Sequence, residues 1–286
     1  MIPSTRTSRK SPRPTPAERS LQTRFRKASV PLALLVGALL LGGCTSVSTF
    51  GGFRGATVQG HDTFKLWQGL VLAGLIVAAI VYALIVWSAL AYRRKSDDHF
   101  PHQFHSNTLI EVVYTVIPII MVFGIFYVTV LTENNVDAVA KSPSEIVHVL
   151  AYRWGFQFTY SAGTGASQGV LIKTAAQPAL LAQPATSAEY PQLVLPEGET
   201  VRIVLDAADV VHGFYVPQFN FDRYAQPGVT NVFDFTPTQT GVFSGQCTQY
   251  CGLYHSEMLF SVKVETPAAF QQWLSATQAS QAQGAA

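Results

Sequence analysis

Two long stretches of this sequence contain no charged residue, and they constrain the fold more than any other feature. The first runs from Leu66 to Tyr92 and the second from Val112 to Thr132. At a rise of about 1.5 Å per residue, a helix of either length crosses a hydrocarbon core of roughly 30 Å. Only 13% of the 286 residues are charged, which is low for a soluble domain. We therefore predict two transmembrane helices within residues 62–132.

The orientation of these helices follows from the connection between them. A basic cluster, Arg93-Arg94-Lys95, directly follows the first apolar stretch. Because Lys and Arg are enriched in cytoplasmic loops, we predict that this connection is cytoplasmic and that both ends of the mature chain face outward. The loop also contains three histidines between residues 99 and 105, which we interpret as part of a solvated turn and not as a metal site.

The first 43 residues have the pattern of a secretory signal peptide. Residues 1–27 carry eight Lys and Arg against one acidic residue, and the apolar run from Val30 to Leu41 is too short to span a membrane comfortably. The run ends in Leu-Gly-Gly-Cys44, which resembles the bacterial lipoprotein box, in which the cysteine is lipidated and becomes the new N-terminus. An ordinary signal with an unpaired cysteine is the alternative. Residues 44–61 are predicted to form a short tether.

Removing this leader changes the sign of the net charge. The whole sequence has a formal charge of +2, but without residues 1–27 it holds 11 basic and 16 acidic side chains. The basic isoelectric point therefore describes the precursor, and we expect no nucleic-acid partner.

Residues 133–266 contain many short segments of alternating apolar and polar residues, separated by Gly and Pro. This density of short strands predicts an all-β sandwich outside the membrane. The predicted strands are Glu145–Tyr152, Trp154–Tyr160, Gln192–Leu195, Thr200–Asp206, Gly213–Val216, Asn231–Phe235, Gly241–Ser244 and Leu259–Glu265. The stretch 161–191, rich in Ala, Ser, Gln and Pro, is predicted to be a surface insertion. Apolar residues at helical spacing predict one amphipathic helix in the tail 267–286.

Four residues with metal-binding side chains lie within one stretch of twelve: Cys247, Cys251, His255 and Met258. The whole chain has only three Cys and three Met, so this is a concentration. Thiolates and a thioether are soft ligands, and together with imidazole they suit copper better than magnesium, calcium or manganese. His212, at the end of the motif Asp-Val-Val-His, is a fifth candidate ligand.

Three other interpretations of this stretch are open. The same four positions form one stripe of a helix, although two glycines interrupt the run and strand-like segments flank it. A Cys247–Cys251 disulfide would be stable in an oxidising compartment, but it would leave His255 and Met258 without a role. A zinc site would use the cysteines and histidines, but zinc has no use for the thioether.

The spacing C-x3-C-x3-H-x2-M, preceded by the D-V-x-H motif, resembles the copper centre of the cytochrome c oxidase subunit 2 family. Members of this family have a two-helix transmembrane hairpin followed by an all-β, cupredoxin-like Greek-key domain, which we expect here. The resemblance implies that Cys247 and Cys251 bridge two copper ions. It also implies that His212 and His255 each bind one copper and that Met258 is a weak ligand to one of them.

Gln249 is a departure from the family, which usually has Glu at this position. The resemblance implies that the backbone carbonyl of Gln249 is the weak ligand to the other copper. The family's Glu side chain also reaches a magnesium ion shared with subunit 1, and a neutral amide holds magnesium less well than a carboxylate does. Gln249 and the lipoprotein box resemble actinobacterial members of the family.

Two further positions match functional residues of the family. The segment Glu111-Val-Val-Tyr-Thr-Val-Ile-Pro118 resembles the start of its second helix, where the carboxylate lies at the mouth of a proton pathway. A carboxylate among lipid headgroups is the alternative role for Glu111. Trp154 matches the tryptophan that accepts electrons from cytochrome c, and a Trp packed in the sandwich is the alternative there. The family's second tryptophan is Phe156 in this chain.

The resemblance implies a function as the electron-accepting subunit of a bacterial haem–copper cytochrome c oxidase in the cell membrane. Electrons would pass from cytochrome c through two copper ions to haem in subunit 1, where dioxygen is reduced to water and protons are pumped. The implied partners are subunit 1, other oxidase subunits, cytochrome c and membrane lipid. From residue 133 onward, twelve acidic side chains against six basic ones suit a basic cytochrome. The alternatives are a membrane-anchored copper-delivery protein and a quinol oxidase subunit, although the latter is expected to lack the Cys and His ligands.

Overall fold

The computed structural model describes residues 49–93, 105–162, 169–172 and 190–284. The predicted signal peptide 1–43, Cys44, most of the cytoplasmic loop and most of the insertion 161–191 lie outside the described residues.

Two long apolar helices come first in the described chain. Helix α1 spans Val58–Ala91 and helix α2 spans Thr108–Val136, and both are long and apolar enough to cross a membrane. None of the residues in their most apolar windows is buried within the chain, as expected of surfaces that face lipid. The two predicted apolar helices are therefore confirmed.

Helix α1 begins inside the predicted tether 44–61, which corrects that boundary. Thr57 caps the helix, and its hydroxyl accepts a 2.9 Å hydrogen bond from a backbone N–H of the first turn. The start of the helix is also tied to the outer domain, since Val58 N donates to Thr236 O at 2.9 Å. Ala56 and Thr57 are buried. The end of the predicted tether is thus part of the folded structure, because its backbone hydrogen bonds are made to the outer domain.

The outer domain is a sandwich of two five-stranded sheets. The first sheet has the order β3-β2-β1-β5-β8, and the second has the order β4-β10-β9-β6-β7. The strands are β1 (Glu145–Tyr152), β2 (Gly155–Ala162), β3 (Gly169–Ile172), β4 (Gln192–Pro196), β5 (Val201–Ala207), β6 (His212–Val216), β7 (Phe221–Ala225), β8 (Asn231–Phe235), β9 (Gly241–Gln246) and β10 (Leu259–Glu265). Most neighbours are antiparallel, but β1 pairs with β5 and β4 with β10 in parallel. The predicted all-β fold is confirmed.

Three details of the sheets differ from the prediction. Strand β3 lies inside the predicted insertion 161–191 and pairs with β2, so this part of the insertion extends the first sheet. Strand β7 pairs with β6. The sequence does not predict β7, because its centre is the polar triplet Asp-Arg-Tyr and only its two end residues are buried. Trp154 precedes β2 and lies in the turn after β1, not within a strand.

Aromatic side chains fill the space between the two sheets. The ring centroid of Phe260 lies 4.7 Å from that of Phe156 and 4.9 Å from that of Phe214. All three side chains are fully or almost fully buried. Phe214 follows His212 by two residues, and Phe260 follows Met258 by two. The aromatic core therefore packs directly beneath the strand ends that carry these two candidate ligands.

The C-terminal helix α3 (Pro267–Gly284) packs against the outer domain. Its residues Phe270 and Leu274 are buried, and the ring of Trp273 lies edge-on to Tyr160 at a centroid distance of 5.3 Å. The apolar stripe of this helix is used for packing.

Tyr160 links the two sheets through its buried hydroxyl. This hydroxyl donates to Val194 O at 2.8 Å and accepts from Val194 N at 2.7 Å. Tyr160 belongs to β2 of the first sheet and Val194 to β4 of the second. Burial raises the pKa of Tyr160 far above its usual value, so the phenol stays protonated and can always donate.

We predict that Tyr160→Phe lowers the free energy of unfolding by about 1–3 kcal/mol, because it leaves a buried N–H and a buried C=O of Val194 without partners. Chemical unfolding of the chain in detergent, followed by circular dichroism, measures the change. Tyr224→Phe is the matched control, since the Tyr224 side chain is 48% exposed. Equal stability of the two variants would contradict the prediction.

Candidate metal centre

The connection between β9 and β10 carries most of the candidate ligands. Cys247 directly follows β9 and Met258 directly precedes β10. A backbone hydrogen bond of 3.0 Å, from Cys247 N to Met258 O, closes this loop at its base. Within the loop only His255–Glu257 is helical, as a short 3-10 turn. The interpretation of this stretch as one stripe of a regular helix is therefore wrong.

The loop brings five donor groups together. Cys247 Sγ lies 3.9 Å from Cys251 Sγ, and the Gln249 carbonyl oxygen lies 3.3 Å from Cys247 Sγ. Cys251 Sγ in turn lies 3.6 Å from His255 Nδ1 and 3.8 Å from Met258 Sδ. Both cysteines are free thiols, and their sulfurs are much farther apart than the roughly 2.05 Å of a disulfide.

Strand β6 supplies the sixth donor. His212 is the first residue of β6 and is completely buried, with Nδ1 at 3.9 Å from Cys247 Sγ. The ligand atoms of His212 and the two cysteines all lie within 4.8 Å of one another. The structure thus brings together all six residues that the resemblance implies as ligands, namely His212, Cys247, Gln249, Cys251, His255 and Met258.

The chemistry and spacing of these donors fit a transition metal. Donor atoms 3.6–3.9 Å apart can each lie about 2.0–2.3 Å from a shared ion. The sulfur ligands are shielded from solvent, since Cys247 is 6%, Cys251 5% and Met258 0% exposed. Soft thiolates and a thioether beside imidazole are the ligands that copper prefers.

Burial also determines the protonation of the thiols before metal binds. Loss of solvation, together with the neighbouring Cys247, raises the pKa of the Cys251 thiol to about 12. In the metal-free protein Cys251 is therefore protonated at neutral pH. A metal ion that binds there must displace this proton.

Two residues that were not predicted as site residues lie beside the candidate ligands: the Asp209 carboxylate contacts His212, and the Arg153 guanidinium contacts Asp209. Asp209 Oδ1 lies 2.8 Å from His212 Nε2, and Asp209 Oδ2 accepts hydrogen bonds from both N and Nε of Arg153 at 3.0 Å. Partial burial of Asp209 favours its protonated form, but the hydrogen bonds from His212, Val210 and Arg153 outweigh this and hold the pKa of the carboxyl well below its usual range. Asp209 begins the motif that identified His212, which is the signal that could have found it.

Trp154 lies between the surface and the β9–β10 connection, residues 247–258, which we call the ligand loop. Its Nε1 donates to the carbonyl oxygen of Cys251 at 3.2 Å, and its ring packs edge-on against Tyr254 at a centroid distance of 4.9 Å. At Gly252, where φ is +116°, a Cβ atom would lie 3.3 Å from the Trp154 ring. Glycine therefore allows both the turn and the close approach of the indole.

Glu111 lies far from the metal-ligand cluster, in the first turn of α2. Its Oε1 accepts a hydrogen bond from Asn107 N at 3.0 Å, while Asn107 Oδ1 accepts one from Ile110 N at 3.3 Å. Glu111 thus helps to cap the helix. The 29-residue helix, roughly 44 Å long, separates it from the outer domain. Cys44 lies outside the described residues.

Comparison with known proteins gives the family. The transmembrane-domain family model of cytochrome c oxidase subunit II matches residues 53–130, and the periplasmic-domain model matches residues 147–265. Cytochrome c oxidase subunit 2 of Mycobacterium tuberculosis is 33% identical over 85% of this chain and 80% of its own length. This chain belongs to the cytochrome c oxidase subunit 2 family. The predicted family is confirmed, and the order of its two domain models, transmembrane and then periplasmic, agrees with the two apolar helices and the following β domain seen here.

A second curated relative and a solved structure are also similar to this chain. The probable cytochrome c oxidase subunit 2 of Streptomyces avermitilis is 33% identical over 73% of each chain. Like the mycobacterial protein it is actinobacterial, which agrees with the expected resemblance of this chain to actinobacterial members of the family. The crystal structure of the periplasmic domain of subunit II of cytochrome oxidase from Bradyrhizobium japonicum is 24% identical. The match covers 50% of this chain and 99% of the Bradyrhizobium chain, with a TM-score of 0.39.

Gly213 provides the space in which the ligand loop of this subunit lies against β6. A Cβ atom at this position would lie 2.0 Å from Thr248 Oγ1, 2.9 Å from Thr248 N and 3.1 Å from Gln249 N. Two of these three contacts are to backbone atoms, which a change of rotamer cannot relieve.

We predict that Gly213→Ala weakens copper binding by about tenfold, because overpacking costs about 1–3 kcal/mol and here displaces the ligand loop. Titration of the copper-loaded chain with a competing chelator measures this affinity. The double variant Gly213→Ala/Thr248→Ala should recover part of it, since the closest clash is with the Thr248 hydroxyl. Unchanged affinity in Gly213→Ala would show that the loop is not held as described.

Proposed function

We propose that this chain is the electron-accepting subunit of a haem–copper cytochrome c oxidase, and that its outer domain holds two copper ions. The observation that carries the proposal is the convergence of two thiols, two imidazoles, a thioether and a carbonyl in one cluster. Six donors exceed the four that a tetrahedral zinc ion binds, and they include the thioether that zinc does not use. The copper pair, when bound, supplies reversible one-electron transfer.

The arrangement of the thiols suits a pair of ions better than one. The two cysteines lie at the centre of the cluster, and each has one imidazole as a neighbour: His212 beside Cys247 and His255 beside Cys251. The thiolates can therefore be shared while each histidine holds one ion. Met258 and the Gln249 carbonyl would complete the set as weak ligands.

The fold keeps these ligands in place. The loop is closed at its base by a backbone hydrogen bond, and the strands on both sides of it rest on the aromatic core. Ligands that move little between two redox states impose a small reorganisation on electron transfer. A rigid protein frame therefore favours rapid electron transfer over bond-making chemistry at this site.

The surface around the loop supports a role for Trp154 in accepting electrons. Its indole is hydrogen-bonded to the backbone of Cys251, so it provides a short route from the surface to a ligand. Tyr250 and Leu253, which lie on either side of Cys251 in the sequence, are 75% and 76% exposed. A redox protein such as cytochrome c that docks there would bring its cofactor close to Trp154.

Other assignments from the family stay predictions for this chain. Glu111 is predicted to serve proton uptake, and Glu111→Ala would then lower turnover in the assembled oxidase while the metal spectra stay normal.

Gln249 is predicted to give a weak magnesium site shared with subunit 1, and Gln249→Glu would then improve retention of the ion against a chelator. Cys44 is predicted to carry lipid on the outer face of the cell membrane, which mass spectrometry of the mature N-terminus tests.

We predict that the purified chain binds two copper ions and that Cys247→Ser abolishes binding of the pair, because a hydroxyl cannot replace a bridging thiolate. Metal analysis after copper loading and dialysis measures the stoichiometry. Met258→Leu is the matched control at the same loop and should retain two coppers, since the thioether is only a weak ligand. One copper per wild-type chain, or zinc bound in preference to copper, would contradict the proposal.

We predict that Trp154→Leu slows electron transfer from cytochrome c to the assembled oxidase by at least about tenfold, a barrier increase of about 1.4 kcal/mol. Onward transfer from the copper pair to haem should be unchanged, because Trp154 lies on the surface side of the cluster. Stopped-flow and flash-reduction kinetics separate the two steps. Trp273→Leu is the control, since Trp273 packs against Tyr160 and Phe270, away from the ligands. Equal slowing of both steps would identify Trp154 as a packing residue only.

A further inference from the structure

An ion pair at the edge of the metal centre connects a buried ligand to the surface. The Asp209 carboxylate accepts at Oδ1 from His212 Nε2 at 2.8 Å and from Val210 N at 2.7 Å. At Oδ2 it accepts two hydrogen bonds of 3.0 Å from Arg153. Exposure increases along this chain of contacts, since the side chains of His212, Asp209 and Arg153 are 0%, 25% and 48% exposed.

The carboxylate determines which nitrogen of His212 faces the cysteines. Because Asp209 holds Nε2, the other ring nitrogen, Nδ1, is left towards Cys247 Sγ at 3.9 Å. A carboxylate on the remote nitrogen of a ligating imidazole orients the ring and makes it a stronger electron donor. Alone, such a carboxylate favours the oxidised state of a metal, since that state carries more positive charge.

Arg153 opposes this effect. Its guanidinium carries a full positive charge and contacts the same carboxylate, so it withdraws negative charge from the imidazole. The backbone N–H of Arg153 donates to the same oxygen, which fixes the carboxylate from one side while His212 fixes it from the other. Both the side chain and the backbone of this one residue therefore act on Asp209.

We propose that Arg153 is a positioning residue that sets the reduction potential of the copper pair, by holding Asp209 against His212 and offsetting its negative charge. The inference rests on the proposed function, because it takes copper to be bound at the ligand cluster. Arg153 directly precedes Trp154, so one short turn carries both the residue that accepts electrons and the residue that adjusts the acceptor's potential.

The test is spectroelectrochemical titration of the full chain, loaded with copper in detergent. Arg153→Gln should lower the reduction potential, because the uncompensated Asp209 carboxylate then stabilises the oxidised pair. Arg153→Lys keeps the charge and should return the potential towards the wild-type value. Asp209→Asn removes the negative charge and should raise the potential. The double variant Arg153→Gln/Asp209→Asn should lie closer to wild type than either single variant does.

The matched control is Arg223→Gln. Arg223 also pairs with a partly exposed aspartate, Asp137, and its other described side-chain contacts are with the rings of Phe221 and Phe233, not with a candidate ligand. Arg223→Gln removes the same unit of charge from the domain as Arg153→Gln does. The potential of this variant therefore shows how much of any shift comes from net charge alone. The proposal predicts a larger shift for Arg153→Gln than for Arg223→Gln.

The outcomes separate this inference from the proposed function. A wild-type chain that binds the copper pair, with equal potentials in the Arg153→Gln and Arg223→Gln variants, overturns the role of Arg153 and leaves the proposed function standing. A wild-type chain that binds no copper pair overturns both. If Asp209→Asn does not fold, the comparison of Arg153→Gln, Arg153→Lys and Arg223→Gln decides the question by itself.

Discussion

The backbone hydrogen bond from Cys247 N to Met258 O is the interaction on which the metal centre depends. It closes the β9–β10 connection at its base, so that the first and last candidate ligands of the loop lie side by side at the ends of adjacent strands. The strand on each side is anchored in the aromatic core, where Phe260 packs against Phe214 of β6. Because β6 begins with His212, the same core aligns the remote ligand with the loop. The packing of the sandwich therefore helps to position the candidate ligands.

A second set of hydrogen bonds fixes the outer domain to the first membrane helix. Val58 N donates to Thr236 O, and Asn220 Nδ2 donates to Gly60 O at 3.1 Å. Gly60 is so close to Phe219 that a Cβ atom would lie 2.4 Å from its carbonyl oxygen. These contacts join the start of α1 to the domain without a flexible linker. The candidate metal centre in this domain is therefore held at a defined position relative to the start of α1.

Local patterns in the sequence pointed to most of the candidate ligands, because four of them lie within twelve residues and their side-chain chemistry is rare. The strands with clear alternation were also predictable. Contacts between residues distant in sequence were not, and Arg153 with Asp209 is the clearest case. The two residues are 56 positions apart and meet only because the turn after β1 lies beside the loop that leads into β6. The folded end of the tether shares this cause, since Ala56 and Val58 donate to Gln218 and Thr236 far along the chain. Strand β7 was missed for a local reason, because its centre is polar and only its two end residues are buried.

Electron paramagnetic resonance of the copper-loaded chain in its half-reduced form tests the central claim most directly. If Cys247 and Cys251 hold two coppers between them, the pair would share one unpaired electron, so the account predicts hyperfine splitting from two equivalent copper nuclei. Splitting from a single copper nucleus would show that the six donors do not hold a shared pair, and would contradict the account.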